Sequence, residues 1–216
     1  MAKNRAAIYI HGNMFEEFVL KAAKGERSNV FVIKDESVKT VWSRIKERKK
    51  QFKEIHNENM TQDYEDAMTL AGIRAWETLS SLARSRNCSN HECEVKFEEV
   101  VQNKTASKLK EYLRADFVAR TKTTVFLVDL KFSSMETSAF EEQYLVNGIL
   151  QVLIYSLVMD IEPGDLSLGV LVYYGREGMV VLYTTDIRND QESMEILRQC
   201  MNITCLKRNS STTQKA

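Results

Sequence analysis

Residues 124 to 132, Thr-Val-Phe-Leu-Val-Asp-Leu-Lys-Phe, constrain the fold of this chain more than any other stretch. The run is rich in β-branched and aromatic residues, which favour an extended, pleated backbone. Its apolar side chains fall on both faces of such a strand. A strand of that kind is stable inside a sheet with other elements packed above and below it, so a layered α/β architecture is expected. The same run contains an anomaly. Asp129 and Lys131 stand two residues apart, and the period of two in a strand points both to one face. Burying two charges there costs on the order of several kcal/mol unless they pair or bind an ion.

Apolar periodicity supplies the layers. Arg5 to Ala23 places Ile8, Phe15, Phe18, Val19 and Ala22 at spacings near three and four, predicting a core-facing helix that stops at Gly25. Val38 to Ile55 repeats the pattern with Val41, Trp42, Ile45, Phe52 and Ile55. Its other face carries Lys39, Arg44, Lys46, Arg48, Lys49, Lys50 and Lys53. A third helix is expected over Asp63 to Arg86, begun by Thr61 and Gln62, with Ala67, Leu70, Ala71, Arg74, Leu79, Leu82 and Ala83 at its recurring positions. From Glu94 the period changes. Glu94 to Val101, Leu109 to Arg120 and Thr124 to Phe132, separated by turns at 103–105 and 121–123, read as an antiparallel three-strand meander. Glu141 to Met159 returns to helix, with Leu145, Ile149, Val152, Leu153 and Leu157 inward. Leu168 to Tyr174 and Met179 to Tyr183 form a hairpin around 175–178, and a short helix is expected near Gln191 to Met201.

The length, 216 residues, suits one domain over 1–206 with a Ser/Thr/Lys tail at 207–216 expected to be disordered. With 30 basic and 30 acidic residues the net charge is zero, so the chain is not a polycation and any contact with nucleic acid must come from local clustering. No apolar run approaches the ~20 residues needed to span a bilayer, and the amino terminus lacks a signal-peptide pattern. No membrane association and an intracellular location, cytoplasm or nucleus, are expected. The four cysteines, Cys88, Cys93, Cys200 and Cys205, form two C-x4-C pairs that read as ordinary thiols, with a zinc or iron–sulfur site as the alternative.

Thirteen residues before Asp129, Asp116 interrupts the apolar stretch of the neighbouring strand, and a short turn would bring the two acids together across the ladder. Two close carboxylates repel each other and are relieved by a hard divalent cation, and oxygen ligands select Mg²⁺ or Mn²⁺ over zinc. Such an ion activates water and stabilises charge on a phosphate, and a nearby lysine can orient or deprotonate the water or stabilise that charge. Phosphodiester hydrolysis is the chemistry this cluster suggests.

At this point the residues resemble the PD-(D/E)XK nuclease superfamily. An acid on one strand followed by (D/E)-x-K on the next matches Asp116 and Asp129-Leu130-Lys131, with Ala115 where the family usually has proline. Gln151 and Tyr155, four apart on one helix face, match the Q-x-x-x-Y signature of the RecB-like branch. That branch includes the RecB nuclease domain, lambda-type exonucleases and CRISPR-associated RecB-type exonucleases. The resemblance implies a restriction-endonuclease-like core: a central mixed sheet flanked by helices, with a helical amino-terminal part. It implies catalytic roles for Asp116, Asp129, Lys131, Gln151 and Tyr155, the last two also touching DNA. It implies metal ligation by Asp116, Asp129 and the Leu130 carbonyl, and by an acid or histidine on the first helix, commonly four residues after a glycine, which makes Glu16 the candidate, with His11 and Glu17 as nearby rivals. Arg44, Lys46, Lys49 and Lys50 become candidate phosphate contacts, against the alternative of a solvated face.

The expected function is hydrolysis of DNA by a metal-dependent exo- or endonuclease, in replication, recombination, repair or defence, with a viral or phage origin among the family's settings. Two alternatives stay open. One is an RNA-cutting endonuclease of the cap-snatching type, and the other is a nuclease-fold protein that binds nucleic acid without cutting it. Oligomeric state, strand polarity and the choice between single and double strands have no signature in the sequence.

Overall fold

The computed structural model describes residues 2–25, 31–33, 40–85, 93–101, 113–159, 161, 166–186, 192 and 195, and the following concerns those. Helix α1, Ala2–Gly25, leads to a short strand β1, Phe31–Ile33, and then to helices α2, Val41–His56, and α3, Gln62–Ser85. Strands β2, Cys93–Val101, β3, Leu113–Arg120, and β4, Val125–Ser133, follow. A helical stretch is built from α4, Thr137–Phe140, a π-helical turn at Glu141–Leu145, and α5, Val146–Val158. It crosses to β5, Leu166–Tyr174, and β6, Met179–Asp186.

The helix ends have local causes. Asn57 takes a left-handed conformation, φ 60°, and its N–H donates to the Lys53 carbonyl at 2.8 Å, closing α2. The Thr61 hydroxyl accepts the Tyr64 N–H at 3.3 Å, and Asp63 and Glu65 occupy the first turn of α3, where the helix dipole favours negative charge.

All six strands join one sheet in sequence order. The expected meander is present, since β2 pairs antiparallel with β3 and β3 antiparallel with β4. β4 pairs parallel with β5 through the helical crossover, β5 pairs antiparallel with β6, and β1 pairs parallel with β2. The sheet is therefore mixed and β4 lies inside it. One face, with Val95, Phe97, Phe117, Phe126, Val128, Leu130 and Leu171, packs against Met14, Phe15, Phe18, Trp76 and Leu79 of α1 and α3. The other face puts Val118, Leu127 and Leu168 against Val152, Leu153 and Tyr155 of α5. An α/β domain with an amino-terminal helical part and helices on both sheet faces is what the chain forms. No helix among the described residues is long and apolar enough to cross a membrane.

Several stripes are rotated from expectation. Ile8, Trp42, Ile55 and Leu70, expected inward, are exposed, while Ile10, Met14, Met68, Ala75 and Trp76 are buried. Periodicity identifies a helix more securely than it fixes which of two adjacent apolar residues faces the core. The crossover helix begins at Thr137, before the expected Glu141, and its π-helical turn lies at Glu141–Leu145. The turn at 103–105, the first residues of the second strand, Cys88, Cys200, Cys205, the tail and nearly all of the carboxy-terminal helix lie outside the described residues.

Candidate active site

The β3–β4 ladder ends one row before the two acids. Its last pair is Phe117 with Val128; continuing the register by one residue would set Asp116 opposite Asp129. There β3 stays with β2 and β4 stays with β5, so the two strands part at this row. On the other side of β3, pairing with β2 skips the same row: Phe97 faces Phe117 and Glu99 faces Ala115, with Glu98 and Asp116 left between them. Glu98 has φ 48°, a conformation that a residue with a side chain adopts at a cost. Facial alternation also breaks here. Ala115 packs with Val118 on the α5 side, while Phe117 and Ala119 pack on the α1 side. One row across three strands thus carries Glu98, Asp116 and Asp129, and it is the row where the sheet is distorted.

The freed backbone is used. The Leu130 N–H, which has no ladder partner on β3, donates to Asp116 Oδ2 at 2.8 Å. That bond fixes the Asp116 carboxylate beside Asp129. Asp129 is 1% exposed, and its Oδ2 lies 2.7 Å from Lys131 Nζ as an ion pair. Neither carboxylate oxygen of Asp129 receives a well-directed hydrogen bond. Lys131 Nζ also donates to Gln151 Oε1 at 3.0 Å, and Gln151 Nε2 donates to the Tyr155 hydroxyl at 2.6 Å. A continuous polar chain therefore runs from Asp129 on β4 through Lys131 to Gln151 and Tyr155 on α5. All four sequence-identified members of the chain are brought together.

Burial disfavours charge on these acids. Burial, then Asp129 and Glu16, push the Asp116 carboxyl well above the carboxylate range. Burial raises Asp129 as well, against the opposing pull of Lys131. Glu16 on α1 is raised to about 7, by burial first and then by Glu98, Glu17 and Asp129. Burial opposes the charge of Lys131, and Asp129 and Asp116 outweigh it, so the ammonium is held above its ordinary range. Glu16 therefore belongs to the same electrostatic cluster as the strand acids.

The donor set suits a hard divalent cation, since it is made of carboxylate oxygens and Asp129 Oδ1 has no hydrogen-bond partner. Among the described residues no three His, Cys, Asp or Glu side chains converge tightly enough to form a complete cage. Mg²⁺ does not require one: it keeps several waters and is held through one or two carboxylates. Asp116 and Asp129, with the Leu130 carbonyl and Glu16 nearby, are the residues that would hold it.

Two neighbours of the predicted ligands have other work. His11 is packed among aromatic rings, stacked on Phe132 at 5.0 Å, with its Nδ1 2.5 Å from the Tyr64 hydroxyl. Glu17 is 1% exposed and accepts from Arg44 Nε at 2.9 Å. Arg44 Nη1 also donates to Glu98 Oε2 at 2.6 Å, and Arg48 Nε lies 3.5 Å from Glu17. This network, which includes Glu17, the residue after Glu16, ties α1, α2 and β2 together. It removes Arg44 from the freely solvated part of the basic face, and Lys49 pairs with Glu65 at 2.5 Å, while Lys46 and Lys50 are exposed. The network had signals. Val41, Arg44, Ile45, Arg48 and Phe52 form one stripe at helical spacing, and the Glu98-Glu99 doublet breaks the alternation of β2. Of the cysteines only Cys93 is described, buried at the start of β2.

No known family model and no curated protein matches the chain. A solved structure, the crystal structure of SSO0001, is 12% identical over 89% of this chain and 84% of that one, with a TM-score of 0.34. Agreement at that level bears on neither fold nor function.

Proposed function

We propose that the chain is a metal-dependent nuclease of the PD-(D/E)XK type, in its RecB-like branch, that hydrolyses phosphodiester bonds of DNA. The observation that carries the reading is the chain Asp129–Lys131–Gln151–Tyr155, with links of 2.7, 3.0 and 2.6 Å. A lysine ammonium has three N–H donors and no acceptor. Lys131 donates one hydrogen to Gln151 and sits against Asp129 as an ion pair, which leaves donor capacity for a water or a phosphate oxygen. Because Gln151 presents its amide oxygen to the lysine, its NH₂ is free to be steadied by Tyr155, and a flipped amide would lose the lysine bond, since an NH₂ group cannot accept from an ammonium. The ammonium is thereby held at a fixed place beside the acids, where it can stabilise charge growing on a phosphate.

Mg²⁺ or Mn²⁺ bound by Asp116, Asp129 and Glu16 would supply the activated water and neutralise phosphate charge. The protein's own part is to hold the carboxylates against one another: the Leu130 N–H sets Asp116, and the Glu17–Arg44–Glu98 network fixes α1 at Glu17, the residue after Glu16. Lys46 and Lys50 would add salt-sensitive contacts to the nucleic-acid backbone.

The test is digestion of end-labelled single-stranded, duplex and circular DNA, and of RNA, with Mg²⁺, Mn²⁺ or EDTA. Wild-type protein should cut DNA with either metal and not in EDTA, and Asp129→Ala or Lys131→Ala should slow cutting by about 10²–10⁴-fold. Intact substrates in every metal would dismiss the reading, and cutting confined to RNA would replace the substrate.

A further inference from the structure

A cleft of about 740 Å³ opens beside Lys131 and Gln151. One wall is α1, at Ile8 and His11. The other is the crossover helix, at Phe140, Tyr144 and Asn147. Ile8 is 62% exposed and Tyr144 48% exposed, so large apolar and aromatic surfaces stand open on both lips. Lys131 is the one charged side chain among those that line it.

The walls are built rather than loose. Phe140 and Tyr144 stack at 6.0 Å with planes 28° apart, one turn from each other across the π-helical segment. The crossover helix is tied to the β5–β6 hairpin at both α4 and the π-helical turn, because Thr137 donates to Glu177 through backbone N–H and hydroxyl at 3.0 and 2.7 Å and Tyr183 donates to Glu141 at 2.7 Å. On the opposite wall His11 stacks on Phe132, 21° from parallel. π-Helical turns recur at functional sites because they redirect side chains within a helix.

We infer that this cleft receives the unpaired bases of a single nucleic-acid strand whose phosphates lie at Lys131 and the acids. The inference rests on the nuclease reading for the position of the phosphate. The chemistry of the cleft selects the rest. A phosphate is held best by cations, and the walls offer none beyond Lys131. A base offers two apolar faces for stacking and a polar edge, for which Asn147 and the Ser134 hydroxyl are at hand. A duplex keeps its bases stacked on one another and places a second phosphate row over this apolar surface. A strand end with free bases meets aromatic walls.

The test is fluorescence anisotropy in EDTA, so that nothing is cut. The probes are a labelled oligothymidine, an oligomer of the same length with abasic sugars throughout, and the matching duplex as competitor. Wild-type protein should bind the oligothymidine about ten-fold more tightly than the abasic strand. Tyr144→Ala and Ile8→Ser, both at exposed positions, should each erase most of that preference while binding the abasic strand as before. Equal affinity for the two strands, or a preference untouched by both variants, overturns the inference. So does a duplex that competes as well as the single strand, or self-association in sedimentation that Tyr144→Ala abolishes, since a second copy would then cover the cleft. The two readings fail separately. Base-dependent binding without cutting in any metal retains this inference and removes the nuclease; cutting by a protein indifferent to bases retains the nuclease and removes this inference.

Discussion

Asp129 is a buried acid on an apolar strand whose ionisation its surroundings oppose. It is buried, its carboxyl is pushed up by loss of water, and its partner Lys131 keeps a side chain 33% exposed. Removing the lysine leaves a buried charge uncompensated, which is costlier than removing both partners. Lys131→Ala should therefore destabilise the metal-free protein by about 1–3 kcal/mol, a range set between buried and solvent-screened pairs. Asp129→Asn should cost less or raise stability, and the double variant should recover most of the Lys131→Ala loss. Urea unfolding of the four proteins measures this as a double-mutant cycle; a Lys131→Ala protein as stable as wild type would show that the pair carries no net tension. At this scale the sequence was informative. Two charges on one face of an apolar strand are visible without coordinates, and so is the Gln151/Tyr155 spacing. Glu17 is legible only as a rival ligand to Glu16 and Glu98 not at all, because a buried glutamate's ion pair is recognisable only once its arginine is placed against it, and Arg44 looks like any other cation of α2.

At the scale of elements, the positions that decide packing are small residues at crossings. Gly72 of α3 lies against α1, where an added Cβ would fall 2.4 Å from the Phe18 carbonyl oxygen. An Ala in place of Gly usually helps a helix by up to about 1 kcal/mol. Here the obstacle is backbone, so Gly72→Ala should lower stability by about 1–3 kcal/mol, in the direction of overpacking. Thermal unfolding followed by far-ultraviolet circular dichroism decides the sign, and a gain in melting temperature would mean that α1 and α3 do not cross so closely. The α5 side makes a kinetic prediction. Tyr155→Phe removes only the hydroxyl that steadies Gln151, whereas Gln151→Leu removes the acceptor of Lys131 itself. Cleavage should fall about ten-fold or less in the first and further in the second, with both proteins folded; the reverse order would remove Gln151 from its place in the chain. Element type and order are legible for the long elements, since each keeps one period over most of its length. The rotation of α1 and α3 is not, because both helices carry apolar residues on more than one face. The π-helical turn has no periodic signature at all.

For the whole molecule, the acids gathered from α1 and from the parting strands make stability depend on pH and on metal together. Glu16 titrates at about 7 in the folded chain against an ordinary value of 4.5, and Asp116 and Asp129 are shifted in the same direction. A raised acid binds more protons folded than unfolded, so folding is favoured while it is protonated, and that advantage is lost as pH rises from the unfolded value through the folded one. Metal-free protein should thus melt higher near pH 5 than near pH 8, with the fall spread between about 4.5 and 7 for Glu16. A divalent cation reverses the preference, because it binds the deprotonated acids and displaces their protons. Adding Mn²⁺ should therefore raise the melting temperature strongly at pH 8 and little at pH 5, by mass action on the folded state alone. Asp129→Asn should flatten both the pH slope and the Mn²⁺ response. Differential scanning calorimetry at the two pH values, with Mn²⁺ and with EDTA, reads all of this without any substrate. A melting temperature that rises with pH in EDTA would mean that the acids are solvated rather than crowded. A pH slope with no Mn²⁺ response would leave the crowding but deny the ion, and with it the proposed chemistry of the parted strands.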